Sequence, residues 1–218
     1  YPHIPCIDAV GTVVESVSDK FPVGSQVFVT GYALGMNTWG GLGEYISFPQ
    51  SWAILLPEGL SPKEAMCFGT AGLTAALSVN HLIGNGVLPD SGNIVISGAT
   101  GGVGSIAVSI LAKLGYEVIA VSGKAEHSFL TETLGAKEVI TRNEFIESYN
   151  KKPLAKPLFA GAIDTVGGEI LSGMLKACQY EGVVTCCGMV ASAELNTSIF
   201  PFILRGVRLI GVDSVEIS

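Results

Sequence analysis

The residues of this chain best placed for chemistry lie in Ala99-Thr100-Gly101-Gly102-Val103-Gly104 and in Ser122-Gly123-Lys124. Glycines let backbone approach a bulky anion, and a helix that starts beside them turns its free N–H groups toward negative charge. The pattern departs from Gly-x-Gly-x-x-Gly: Ala99 holds the first place, Gly101 and Gly104 the other two, and Gly102 is additional. The first glycine serves the tight turn, so alanine is admissible while its φ stays negative, whereas the second needs bare backbone beside the phosphates. With Thr100 and Val103, the stretch therefore reads as a cradle for a dinucleotide pyrophosphate.

The second group selects among dinucleotides. An NAD site places an acid at the end of the second strand to hold the ribose 2′-hydroxyl. Here that place holds Ser122, Gly123 and Lys124, and Arg142 follows the third strand. A hydroxyl, a free backbone and two cations suit a 2′-phosphate. The predicted cofactor is NADPH, with Lys124 as charge partner and Arg142 flanking it.

Such a cradle works only on a particular scaffold. Asn93–Gly98 is a short apolar run with β-branched residues, Ile106–Leu114 is apolar at helical spacing, and Glu117–Ser122 is a second strand-like run. Strand, glycine turn, helix and strand in this order are the context the motif requires. The alternation continues, with strands predicted near 94–98, 117–122, 137–141, 160–165, 182–187 and 207–212, and helices over Gly168–Cys178 and Ile199–Leu204. This pattern predicts an α/β fold, a doubly wound Rossmann parallel sheet with helices on both faces. Ligands lie at the C-terminal ends of such strands, which nominates Asp164-Thr165-Val166, Cys187-Gly188-Met189 and Gly211-Val212-Asp213 as cleft walls, with Thr165, Gly188, Met189 and Asp213 as further cofactor residues.

Residues before 61 read differently. Short strands are predicted over Ala9–Val17, Gln26–Thr30, Gly43–Phe48 and Ala53–Leu56, with a turn at Pro22-Val23-Gly24 and a glycine-rich loop over Tyr32–Gly43. Ser61-Pro62-Lys63-Glu64 is a capping box with proline at the first helical position. The helix meets Gly69, and Thr70 starts a second helix to about Ile83, its hydroxyl capping at the edge of the cofactor cleft. Two domains are expected, residues 1–60 and 61–218, and the start at Tyr1 reads as a cut from a longer chain.

Composition bounds the partners. With 218 residues and 48% hydrophobic content, the chain can bury a sizeable core. The net charge of −7, with 12 scattered Lys plus Arg, argues against a hold on nucleic acid. No apolar run is read as long enough to span a membrane and no signal segment is seen, so a cytoplasmic protein is expected. The five cysteines, at 6, 67, 178, 186 and 187, match no zinc spacing and read as reduced thiols, mostly in the core. Cys186 and Cys187 would point to opposite faces of a strand.

Several blocks together carry a resemblance: Ile7-Asp8-Ala9-Val10-Gly11, Trp39-Gly40-Gly41-Leu42-Gly43-Glu44, Gly69-Thr70-Ala71-Gly72, Gly98–Gly104, Ser122-Gly123-Lys124, Ala162-Ile163-Asp164-Thr165-Val166-Gly167 and Pro201-Phe202-Ile203-Leu204-Arg205. The chain resembles the zinc-free medium-chain dehydrogenase/reductase family, in its branch of NADPH-dependent acrylyl-CoA reductases and quinone-oxidoreductase-like relatives. The resemblance implies a Rossmann domain joined to part of a GroES-like β-rich catalytic domain. It implies hydride transfer from NADPH to the β-carbon of an unsaturated acyl thioester, with a quinone or enone reductase, or a non-catalytic NADPH-binding protein, as alternatives. Where zinc members place a histidine and an acid, this chain has Ile7 and Asp8, so no metal is expected. The family's Asn-Tyr pair for enolate stabilisation and protonation would lie upstream of Tyr1. The last strand, Val207–Val212, would form a homodimer interface.

Overall fold

Alternating apolar residues on each strand of the larger sheet face two separate cores. In this computed structural model, which describes residues 2–124 and 127–216, β4 (Asn93–Ser97) sends Ile94 and Ile96 to one side and Val95 to the other. On β5 (Val118–Ser122), Val118 and Ala120 share the first core, while Ile119 and Val121 share the second. The period of two along a strand requires this split, and burial of both faces gives the near-continuous apolar runs of a parallel sheet. The first core is roofed by α2 (Gly102–Lys113) and the second by α3 (Arg142–Tyr149) and α4 (Gly168–Ala177).

The remaining strands are β6 (Glu138–Thr141), β7 (Phe159–Asp164), β8 (Cys178–Cys186) and β9 (Arg208–Gly211), with α5 (Phe200–Arg205) before the last. All six pair in parallel in the order β6-β5-β4-β7-β8-β9. The order reverses between β4 and β7, which creates a crevice at their C-terminal ends. All six predicted strands are present, and β8 begins earlier than expected. Its pairing jumps from Phe159↔Cys178 to Gly161↔Val183, so 179–182 bulge out of the ladder, with Glu181 at φ 59°. Helix α3 is additional to the helices named from sequence; its Thr141 and Glu144 form a capping box.

Packing divides the chain into two units. One takes in residues up to Leu73 together with the segment from Asp213; the other runs from Thr74 to Val212. The expected division after residue 60 marks the start of α1 (Pro62–Gly84), and the change of unit falls inside that helix. Tyr1, on which the reading of a cut from a longer chain rested, lies outside the described residues.

In the first unit, β1 (Asp8–Thr12), β2 (Gln26–Thr30) and β3 (Ile54–Leu55) form an antiparallel sheet in chain order. Ser25 N–H donates to the Pro22 carbonyl at 3.0 Å across Gly24 at φ 94°, the turn expected before β2. β1 stops at Thr12, short of the expected Val17, because Val14 and Val17 are exposed and have no face to bury. The strand expected over 43–48 does not form. Both edges of β2 are taken by β1 and β3, and an extended run without a ladder partner stays irregular. The glycine-rich loop folds back on the start of the chain: Gly40 N–H donates to the Ile4 carbonyl at 2.7 Å and Gly41 N–H to Cys6 at 2.9 Å.

The stretch Pro62–Gly84 corrects one expectation, since by length and composition it is apolar enough to cross a membrane. Gly69 breaks it, with φ 46° and ψ −150° inside the helical span. The unbroken part, Thr70–Gly84, falls short of the roughly 20 residues a bilayer core requires.

Candidate cofactor-binding site

Sheet pairing of β4 carries the chain to Ser97 and delivers Gly98 in the left-handed region, at φ 57°. A Cβ on Gly98 would overlap the Thr165 hydroxyl, so only glycine fits. Ala99, fully buried, lies outside the positive-φ set, which is the condition its place in the motif required. Gly101 N–H closes the turn onto the Gly98 carbonyl at 2.8 Å, and Gly101 then serves as N-cap of α2. A Cβ on Gly104 would overlap the Gly98 carbonyl, which makes Gly104 the glycine of close helix-to-turn packing. No side chain caps α2, and Gly101 and Gly102 are exposed between half-buried Thr100 and Val103. The N–H groups of that first turn are therefore available to an anion, in the field of the helix dipole.

At the end of β5, Ser122 is buried and its Oγ accepts from Lys124 N–H at 3.1 Å. Gly123 is exposed, and a Cβ there would lie 3.2 Å from Arg142 Nε, so the guanidinium rests against Gly123. Arg142 is the first residue of α3, set there by the Thr141–Glu144 box; the Thr141 hydroxyl holds the Glu144 carboxyl below its ordinary range. Glu144 is thereby engaged with the cap. The described ion pairs are Lys137–Glu117 and Arg208–Glu181, so exposed Lys124 and Arg142 pair with no carboxylate among the described residues. Structure thus brings together Ser122, Gly123 and Arg142, with Lys124 following directly.

Where the strand order reverses, a polar cluster joins β4 to β7; the sequence reading named Asp164 and Thr165 there as cleft wall and missed Ser97. Ser97 Oγ donates to Asp164 Oδ1 at 2.7 Å and accepts from Thr165 N–H at 2.8 Å. Thr165 Oγ1 donates to the Ser97 carbonyl at 2.9 Å, and Gly167 N–H donates to Asp164 Oδ2 at 2.7 Å. Asp164 is fully buried, and burial pushes its carboxyl above the usual range against the opposing pull of these bonds. The Thr165 hydroxyl is thus spent inward as a donor. Gly188 packs so closely on the Thr165 carbonyl that a side chain would overlap it, and Met189 is exposed beside it. Ser97 and Asp164 had a legible signal: each is a polar residue closing an apolar strand, Asn93–Ser97 and Phe159–Asp164.

Two nominated residues belong to the other unit. Asp213 accepts from Val215 N–H at 2.8 Å in its own turn. Thr70 bonds to Asp8, whose Oδ1 lies 2.7 Å from Thr70 Oγ1, 2.9 Å from Thr70 N and 2.6 Å from Thr30 Oγ1. Asp8 Oδ2 stands where a Cβ on Gly69 would go, which explains a glycine at the helix break. Among the described residues no three His, Cys, Asp or Glu side chains gather where one ion could hold them. The cysteines also differ from expectation: only Cys178 is buried, Cys186 and Cys187 are half-buried, and Cys6 and Cys67 are exposed.

Residues 102–217 match a family described as zinc-binding dehydrogenase. The chain is 49% identical over 216 residues to a probable acrylyl-CoA reductase, AcuI, of Escherichia coli, covering 99% of this chain and 65% of that protein. It is 48% identical over 215 residues to a putative quinone oxidoreductase, YhfP, of Bacillus subtilis, with the same coverages. The crystal structure of the Bacillus protein with NAD bound superposes at a TM-score of 0.93, at 48% identity, over 100% of this chain and 66% of that one. The yhdH oxidoreductase of Salmonella enterica in complex with NADP superposes at 0.94, at 47% identity, over 99% of this chain and 65% of that one. The chain therefore spans 65% of the length of the curated relatives it matches.

Proposed function

The chain belongs to the zinc-binding dehydrogenase family, and on that premise we propose that it is the cofactor-binding part of an NADPH-dependent oxidoreductase acting on α,β-unsaturated acyl thioesters of the acrylyl-CoA kind. The observation that carries the cofactor choice is the end of β5, where Ser122, Gly123, Lys124 and the Arg142 guanidinium stand in place of an acid. When bound, the reduced nicotinamide supplies hydride to the β-carbon. The chain's own task is binding and orientation. First-turn N–H groups of α2 hold the pyrophosphate, Lys124 and Arg142 hold the 2′-phosphate, and the walls at 165–167 and 187–189 bound the nicotinamide side. The group that stabilises the enolate and protonates the α-carbon we place in a segment preceding Tyr1, as the resemblance implies.

A quinone or enone reductase is the second reading, favoured by the near-equal identity to the Bacillus relative with that name. Absorbance of the reduced nicotinamide, followed with the full-length protein on an acrylyl thioester, a small enone and a quinone, separates the two. The thioester is expected to be preferred. A quinone preference of about tenfold in kcat/KM, roughly 1.4 kcal/mol in transition-state binding, would put the second reading first. Binding of NADPH without turnover of any acceptor would instead favour a non-catalytic NADPH-binding protein.

A further inference from the structure

The backbone ladder between β4 and β7 runs to Ile96↔Ile163, and the next residues along, Ser97 and Asp164, are joined by side chains instead. Ser97 is buried, as is Asp164, and the three bonds that Ser97 makes to Asp164 and Thr165 cross between the segments that carry two turns. One is the glycine turn, Gly98 to Gly101; the other is the turn from Thr165 to Gly168 that leads into α4. Ser97 Oγ and its carbonyl both bind Thr165, and Asp164 bridges Ser97 Oγ to Gly167 N–H. A buried carboxylate is costly unless its bonds repay the lost hydration, and here both oxygens are bonded. The site coincides with the reversal of strand order, across which a dinucleotide lays its two halves.

We propose that Ser97 and Asp164 are positioning residues for the dinucleotide: together they latch the two turns at the separation that a complete NADPH requires, without touching it. This rests on the cofactor reading above. The latch predicts a split that a general support of the sheet does not. A ligand that reaches only the 2′-phosphate end, at Ser122–Lys124 and Arg142, is indifferent to the spacing of the two turns. A ligand that spans both turns is sensitive to it.

The test titrates this chain with NADPH and with adenosine 2′-monophosphate, which has neither pyrophosphate nor nicotinamide. Ser97→Ala is expected to lower NADPH affinity about tenfold while adenosine 2′-monophosphate stays within about twofold of the unsubstituted chain. Asp164→Asn keeps the side-chain volume but leaves one acceptor oxygen where two are used, so either the Ser97 hydroxyl or Gly167 N–H loses its acceptor, and it is expected to show the same split. Circular dichroism melts establish that each variant folds. Equal loss of both ligands, unchanged NADPH affinity, or failure of both variants to fold overturns the latch and leaves the cofactor reading standing. Failure of the unsubstituted chain to bind NADPH overturns the cofactor reading and the latch with it.

Discussion

Lys124 lies two residues beyond β5 and Arg142 opens α3, so two cations from separate segments flank one exposed glycine. A charge-assisted bond to a 2′-phosphate is worth on the order of 1.5–3 kcal/mol, about ten- to a hundredfold in affinity, with the lower end apt for so exposed a lysine. Lys124→Ala is expected to erode the preference for NADPH over NADH and Lys124→Glu to abolish it, as read by parallel titrations. Equal binding of the two cofactors by the unsubstituted chain would refute the assignment. Asp164 makes a pH prediction of definite sign. Its folded-state pKa is raised, so the folded chain holds the proton more tightly than the unfolded chain does. Its contribution to stability is full below the unfolded value and is lost as pH rises through the folded one. Denaturant melts across that window should show a decline that Asp164→Asn removes; parallel curves would sink the assignment. Burial likewise pushes the thiols of Cys178 and Cys187 up to about 12. Thiol reagents at neutral pH are expected to modify exposed Cys6 and Cys67 first, by mass mapping.

The elements that position these residues differ in how plainly the sequence announces them. Strands β4, β5 and β6 are runs of β-branched residues between glycine or polar breaks, and the helix starts at Ser61 and Thr141 both carry the S/T-x-x-E box. Only the first box was taken up in the sequence reading; the second would have placed α3 and fixed Arg142 at its first turn. Thr141→Ala is expected to cost about 1 kcal/mol of stability and to weaken NADPH binding through Arg142, read by melts and titration. What stayed hidden depends on contacts between distant segments. The strand expected over 43–48 lacks a partner, and nothing local in that segment reveals it. Arg205 is another such case: it is buried on α5, and its guanidinium donates to the carbonyls of Lys176 and Cys178 at 3.0 Å each and to that of Ala155. It satisfies carbonyls at the end of α4, which helix geometry leaves orphaned. Arg205→Ala is expected to cost about 2 kcal/mol, since the Cys178 carbonyl would lose its buried donor, while the Lys176 carbonyl keeps the Ala155 N–H. A loss below about 1 kcal/mol in urea melts would reduce it to a surface-like contact.

At the scale of the whole molecule, β9 stands at one edge of the sheet, with Ile203 and Leu204 of α5 exposed just before it. An unpaired apolar edge invites pairing with its own copy about a two-fold axis, and we propose a homodimer formed this way. Leu209 and Ile210 pack against the cores, so the cleaner probe is Leu204→Lys, expected to shift the assembly toward monomer by light scattering. A monomeric unsubstituted protein would count against the interface. We also propose that the fold needs no metal, so chelators should leave the melting temperature unchanged; stoichiometric zinc by elemental analysis would contradict this.

The two cores that share each strand also limit how this sequence can change over evolutionary time. Ile94 and Ile96 face one core and Val95 the other, so deleting a single residue from β4 would exchange the faces of everything beyond it. In a sheet with one wet face such a slip exposes apolar groups; here it also sets differently sized side chains into two packed interiors at once. Length variation should therefore be confined to segments outside the ladder, such as the exposed run at 88–91, while the strands vary only by substitution. A deletion scan read by soluble expression should show a sharp floor over 94–97 and tolerance over 88–91. The sheet's two-sidedness is thus a constraint on heredity as much as on packing.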